Sequence, residues 1–530
     1  MAGKTRPLGV IVIILNFAAV KSTSPPSKLL PFVARPAFLG KKIVRYAPDP
    51  TADHKPKRPH PTPAPSAGFP STSAQLLTVG SRTIAVATRY NERITKLLFL
   101  NPVTTFVPMR PSKSITRRRF QQQVLASLPL ACGSTAGQLQ ASADFPPVQT
   151  ITRGPKFYWF GYYDKLQFSA DDRFVLSNRV DFEHRSPTAD DTIEVGMIDT
   201  ESNNEWIPLG TSRAWCWQQG CMLQWLPGHP SRVIWNDREK DRFVCHLLDV
   251  KTGERNTLPC PIYSVAPDGK SAVSCDFSRV ADCRPGYGYA GLRDRFFEEM
   301  APRESGVSYV DLDRGTEQLI VSHHQLATTG EVPRNYPDSK HHAYHLLHSP
   351  NGQRFIMLHR WTQQGGGHLT RLITAAIDGS DLRIVIPNGY ASHFIWRDDE
   401  HLLSQAKGWL GNEGWGNFLF QDKEAGVLGE IGRGVLDSGG HFTYLSNPDW
   451  LVSDTYPKGN ERFQTPHLYQ ISTNRRIDLG NFASPKEYQG EWRVDTHPRL
   501  SRTERWVCID SPHLGQGRQL HLIDIRGFRE

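Results

Sequence analysis

The 530-residue chain has few cysteines and no arrangement of them that carries chemistry. Its eight cysteines form no C-x-x-C pair and no His/Cys cluster, which excludes a zinc-finger or a disulfide scaffold. They are expected to be buried free thiols; Cys216 with Cys221, or Cys275 with Cys283, are the pairs an oxidising compartment would join. No apolar run reaches the roughly 18 residues that a membrane-spanning helix needs. A P-loop and a Ser nucleophile elbow are missing, and Gly286-Tyr-Gly288 lacks the strand and helix of a dinucleotide fingerprint. Acidic residues are scarce at the N-terminus: residues 1–132 hold 20 Lys and Arg against 3 acids, whereas 133–530 hold 42 against 50. The formal charge of +9 belongs to the leader and does not point to nucleic acid.

Residues 22–72, rich in Pro, Ser, Ala and Lys without a hydrophobic period, have too little apolar surface to offset chain entropy and are expected to be disordered. Lys4 and Arg6 before Leu8–Val20 resemble the start of a secretory signal. A better-formed signal follows Met109: Thr116-Arg117-Arg118-Arg119-Phe120, an apolar stretch, then Leu130-Ala131-Cys132, similar to a twin-arginine export signal ending in a lipoprotein box with Cys132 as the lipidated residue. The expected organisation is therefore 1–108 as a disordered or misassigned upstream extension, 109–132 as export signal, 133–147 as tether and 148–530 as the folded domain. The product would be an exported periplasmic or cell-surface lipoprotein, monomeric, touching a membrane only through its lipid.

From residue 148 onward a strand–turn–strand unit recurs about every 50 residues, the mark of a propeller or solenoid. The seven units are Lys165–Asn178, Met222–Asn236, Tyr263–Cys275, His345–Trp361, His393–Ser404, His441–Ser453 and His497–Asp510. Each places β-branched or aromatic runs on either side of a turn built from Asp, Asn, Gly and Pro. A second hairpin with an Asp-x-x-x-Gly turn follows several of them, as in Asp249–Gly253 and Asp311–Gly315, making four antiparallel strands per unit. The chain predicts an all-β, seven-bladed β-propeller, with Val148–Thr152 completing the last blade and removing an exposed sheet edge.

His345, His393, His441 and His497 each stand four residues before the first turn residue of their unit. That register predicts a ring of imidazoles around the funnel, serving as metal ligands or as acid/base groups near neutral pH. His359 returns to the face of His345. Tyr263 opens the third unit and Arg279 closes it, which puts a phenol and a guanidinium on the same face. Two long connections, 282–297 and 323–342, are aromatic and basic, a composition that would suit an anionic sugar chain.

The turn units resemble the propellers of the translocation-protein and WD-like groups, and more specifically the oligogalacturonate lyases and ulvan lyases. That resemblance implies β-elimination on a uronic-acid glycan, with Tyr263, Arg279, His345 and His359 as catalytic residues. Arg284, Tyr287, Tyr289, His342, Trp361 and Gln219 would line the substrate path, and a divalent metal, Mn or Ca, would sit on His345, His393, His441 and His497. Two departures stand out: where oligogalacturonate lyases carry Gln-x-x-His-x-His this chain has Tyr390-Ala-Ser-His393-Phe-Ile395, and Gln218-Gln219 stand where the ulvan type offers a histidine. A non-catalytic glycan- or protein-binding propeller, and a hydrolase using Asp181, Asp237 and Asp495, are the competing readings.

Overall fold

The computed structural model describes residues 145–363, 366–436 and 439–529. The expectations placed on residues 1–144, including both signals and Cys132, lie outside the described residues. The described chain folds into seven four-stranded antiparallel sheets, the seven-bladed propeller expected from the repeat. Within each blade neighbouring strands run antiparallel, most simply as a meander such as Gln224–Trp225, Arg232–Glu239, Arg242–Asp249 and Arg255–Leu258.

Central strands such as Arg354–Thr362 are buried along nearly their whole length. Each is packed on both faces by neighbouring blades, so it reads as a continuous apolar run rather than an alternating one. The turn at Ser349–Gly352 closes through Gly352 N–H to Ser349 O at 2.9 Å, with Gly352 at φ 72°, a conformation that glycine adopts without strain. Gly253 and Gly315 do the same in the outer hairpins, donating to Asp249 O and Asp311 O.

Val148–Thr150 pairs antiparallel with Gln519–Asp524, completing the blade whose other strands are Arg499–Leu500 and Trp506–Ser511. Pairing continues beyond the strand: Ile151 N–H donates to Leu520 O at 3.1 Å, and the Thr152 hydroxyl accepts from Leu520 N–H at 2.9 Å.

The first blade departs from the sequence reading. Its inner strand begins at Phe157–Trp159, upstream of Lys165, and resumes where Phe168 bridges Val175. Residues 160–166 leave the sheet between those points. In the sixth blade a small ribbon, Phe463–Gln464 with Phe482–Ala483, is added to the four-stranded sheet. All seven described cysteines are free, and six are buried.

Ile151 is 2% exposed and packs with Phe168, Cys508 and Leu522 at the closure. Ile151→Ala should cost about 2–5 kcal/mol in denaturant unfolding. An unchanged transition midpoint would show that the closing strand contributes no side-chain packing.

Candidate functional site

The loop that leaves the first blade fills the axis of the ring. Tyr162 packs edge-on against His345 and His497, with ring centres 4.6 and 5.1 Å away. Tyr163 contacts His345, His393, His441 and His497 and donates its hydroxyl proton to Phe394 O at 2.8 Å. The four histidines predicted to share a register therefore do surround one space. The inner strand of the fourth blade, His341–His348, is irregular where its imidazole turns inward: His345 has φ 52°, and its pairing with the next strand shifts there. A bulge of this kind re-aims a side chain.

The ring is not four equivalent ligands. His345 Nε2 lies 3.5 Å from Asp164 Oδ2, within a fully buried group that includes the Asp164–Lys165 pair at 2.9 Å. Burial lowers the His345 pKa to about 4, although Asp164 opposes the shift. Among the described residues, the group with metal-ligand spacing is instead His441, Asp495 and His497, whose donor atoms lie within 4.8 Å of one another. His441 donates Nδ1–H to Asp454 at 2.9 Å, so Nε2 is the nitrogen from which a metal would displace a proton; burial would lower the His441 pKa, but Asp454 and Asp495 outweigh it and raise it. His497 Nε2 is buried without a hydrogen-bond partner. His393 stands beside His441, ring centres 4.5 Å apart, outside the three-residue group.

Beside this group lies a cationic mouth. Arg284, Tyr287, His368 and Arg493 line a cleft of about 380 Å³. Arg284 lies 4.2 Å from the centre of the Tyr287 ring, and Arg360 lies 4.9 Å from that of Tyr344. Both guanidiniums turn Nη1 toward the same atom, His368 Nε2, at 3.2 and 2.9 Å. A guanidinium only donates, so this nitrogen is an acceptor and the imidazole is neutral; His368 stands at the exposed end of its strand, and partial enclosure, then Arg360 and Arg284, lower its pKa. Neither Arg284 nor Arg360 pairs with a carboxylate among the described residues, and the Nε of each is buried without an acceptor. Burial, with Arg284 nearby, lowers Arg360 to about 10.

Arg493 bridges two groups, donating to the Tyr287 hydroxyl oxygen at 2.7 Å and to Asp495 at 2.8 Å. Burial by itself would raise the Tyr287 pKa, but Arg493 and Arg284 outweigh it and bring the phenol down to about 8. His342, 2% exposed, has both ring nitrogens unpartnered and stacks toward Tyr344.

Several expected site residues are parts of the frame. Arg279 does not close the second strand of the third blade, which ends at Cys275, but lies in the short helix Phe277–Cys283, and all five of its N–H donors are occupied: Nε by His341 O, Nη1 by Asp294 and Phe296 O, Nη2 by Glu299 O and Met300 O. It pins the long connection and has no donor left for a substrate carboxylate. Tyr263 is 1% exposed, accepts from Gln219 Nε2 at 2.6 Å, and has its pKa raised well above that of an ordinary phenol by burial first and Asp164 second. The cation-lowered phenol is thus Tyr287, not Tyr263, and Gln219 is spent on Tyr263. Tyr289 stacks on Phe277, ring centres 4.1 Å apart, and accepts from Asn236. Trp361 is fully buried against His341 and His359.

His359 lies in a directed chain: Arg371 donates to its Nδ1, its Nε2–H donates to His341 Nδ1, and His341 Nε2–H donates to Asn335. Both nitrogens are occupied, so it does not assist His345. The three carboxylates of the hydrolase reading are engaged separately, Asp181 by Lys156, Asp237 by His246, and Asp495 by Arg493. Arg360, His368, Tyr344, Arg493 and the ligand role of Asp495 were not singled out from sequence.

A seven-bladed ring with a plugged axis and a cation-lined mouth is the class that fold and geometry define. No family model matches the chain, and no curated protein matches it. Among solved structures it is similar to an oligogalacturonate lyase in complex with manganese, at TM-score 0.53 and 14% identity over 73% of this chain and 95% of that one. It is also similar to an oligogalacturonate lyase from Vibrio parahaemolyticus, at TM-score 0.51 and 12% identity over 72% of this chain and 94% of that one. At these identities the shared property is the fold.

Arg279→Met leaves the fully buried Asp294 without its partner and should cost about 3–5 kcal/mol in equilibrium unfolding. The Arg279→Met/Asp294→Leu double variant should recover part of that loss. A neutral single variant would mean that Arg279 does not brace the connection.

Proposed function

We propose that this protein is an exported lyase that cleaves a uronic-acid-containing glycan by β-elimination at the cationic mouth. The observation that carries the reading is the pair Arg284 and Arg360, two guanidiniums converging on one neutral imidazole with no carboxylate among the described residues to balance them. Two such charges side by side, Arg360 buried and Arg284 half-buried, are costly unless an anion joins them, and a planar carboxylate matches their forked donors. The fold likeness to oligogalacturonate lyases supports the same substrate chemistry. Export rests on the Arg117-Arg118 and Cys132 motifs.

Arg284 and Arg360 hold the uronate carboxylate and draw charge from it, which makes the neighbouring C5 proton more acidic. Tyr287 is the base. Its oxygen already accepts from Arg493, and the cations on either side favour the phenolate. The phenolate takes the C5 proton, the C5–H electron pair becomes the C4=C5 double bond, and the C4–O bond breaks. The leaving oxygen takes the proton back from the phenol.

His441, Asp495 and His497 suit a divalent cation: one imidazole is oriented by a carboxylate, another is buried with a free nitrogen, and an acid stands between them. Two nitrogens favour a transition metal such as manganese over calcium, which takes oxygen ligands. When bound, it would add positive charge beside the substrate carboxylate.

Incubation with a panel of uronic-acid polysaccharides and their oligosaccharides should produce the ultraviolet absorbance of a conjugated unsaturated uronate. No product from any member, with or without manganese, would leave a glycan-binding propeller in place of a lyase. Since Tyr287 acts as phenolate, kcat/KM should climb with pH and level off above about 8. Tyr287→Phe should lose about 10²–10⁴-fold and that rising limb with it; an unchanged profile would exclude Tyr287 as base. Manganese should raise the Tm of the wild-type protein, by about 2.7 kcal/mol of stabilisation at a hundred times Kd. It should leave His497→Ala unmoved, and an equal shift in both would place the ion elsewhere.

A further inference from the structure

The fifth blade carries an exposed aromatic surface next to the mouth. Its strands His401–Trp409 and Asn412–Gln421 form a hairpin whose tip is Leu410-Gly411. Lys407 and Trp415 are directly opposed in this ladder, so their side chains stand on one face. Tyr390 supports that face: its ring meets Trp415 edge-on at 6.5 Å, Lys407 Nζ lies 5.4 Å from its centre, and Arg334 donates to its hydroxyl. Trp415 is nevertheless 42% exposed, and neither Lys407 nor Arg334 has an acidic partner among the described residues.

This surface is continuous with the mouth. Tyr390 bridges Thr370, and Thr370 pairs with Arg360. Two strand spacings, about 10 Å, therefore separate the backbone at the carboxylate clamp from the backbone at the aromatic surface. An indole offers apolar area to the C–H face of a sugar ring, and Lys407 and Arg334 offer charge to its carboxylates. Neutral glycans would use the first feature only.

We propose that Trp415, Tyr390, Lys407 and Arg334 form an outlying subsite that grips an anionic polysaccharide where the chain leaves the mouth. The inference rests on the reading that the mouth takes a uronate glycan. It adds that polymers bind more tightly than short oligosaccharides, because only a polymer spans both places.

The test is electrophoresis of the full chain through native gels containing polygalacturonate, alginate or, as the neutral control, dextran. The wild-type protein should be retarded by at least one polyuronate and not by dextran. Trp415→Ala should weaken the apparent affinity about tenfold, as should the Arg334→Gln/Lys407→Gln double variant, whose melting transition reports intact folding. Both variants should turn over a short uronate oligosaccharide at the wild-type rate. Retardation unchanged in both variants, or wild-type mobility unaffected by either polyuronate, would overturn the subsite. Retardation that depends on Trp415 in a protein without turnover would support the subsite and sink the lyase reading, so the two failures are distinguishable.

Discussion

A ring of seven blades cannot fill its own axis, and much of this structure follows from how the gap is closed. Residues 160–166 leave the inner strand of the first blade and place Tyr162 and Tyr163 among imidazoles from the fourth to seventh blades. The plug sets two buried phenols among these imidazoles and brings Asp164 and Lys165 into the interior. Burial would raise the Asp164 pKa, but Lys165 and His345 overcome it and bring the carboxylate to about 2. Such a buried, paired charge fixes the plug's position more than it stabilises the fold. His345, assigned by its register to chemistry, turns Nε2 to this buried group and keeps Nδ1 buried without a partner.

The ring itself was legible in the sequence because each blade repeats the same local demands: a short apolar strand, a turn that tolerates positive φ, and a second strand buried on both faces. Seven units and the closing role of Val148–Thr152 follow from those demands and from the need to remove a free edge. The plug was not legible, because periodicity cannot distinguish a strand from a loop embedded between two half-strands. Lys165–Asn178 contained the second half of the first inner strand and hid the departure ahead of it.

The site was legible in residue type and only partly in placement. Four histidines in register do encircle the axis, yet the ligand group combines two of them with Asp495. Arg279 illustrates the limit: sequence puts a guanidinium at the end of a strand, but the partners that exhaust it are four backbone carbonyls and Asp294. The guanidiniums left with donors to spare, Arg284 and Arg360, come from a connection and a second strand and meet at His368 and over the ring of Tyr344. No spacing within one repeat encodes that meeting.

Tyr263 and Tyr287 show how environment decides between two buried phenols. Tyr263 faces Gln219 and the negative field of Asp164, and although Lys165 Nζ lies 5.0 Å from its ring centre, burial and Asp164 keep its proton. Tyr287 is equally enclosed, but Arg493 bonds its oxygen and Arg284 covers its ring. Asp495 acts against them, because its charge raises the Tyr287 pKa while its bond with Arg493 orients that guanidinium. Whatever neutralises Asp495 therefore releases more of Arg493's charge onto the phenol. Through this one carboxylate, the imidazole group at the axis and the phenol at the mouth share a single electrostatic balance.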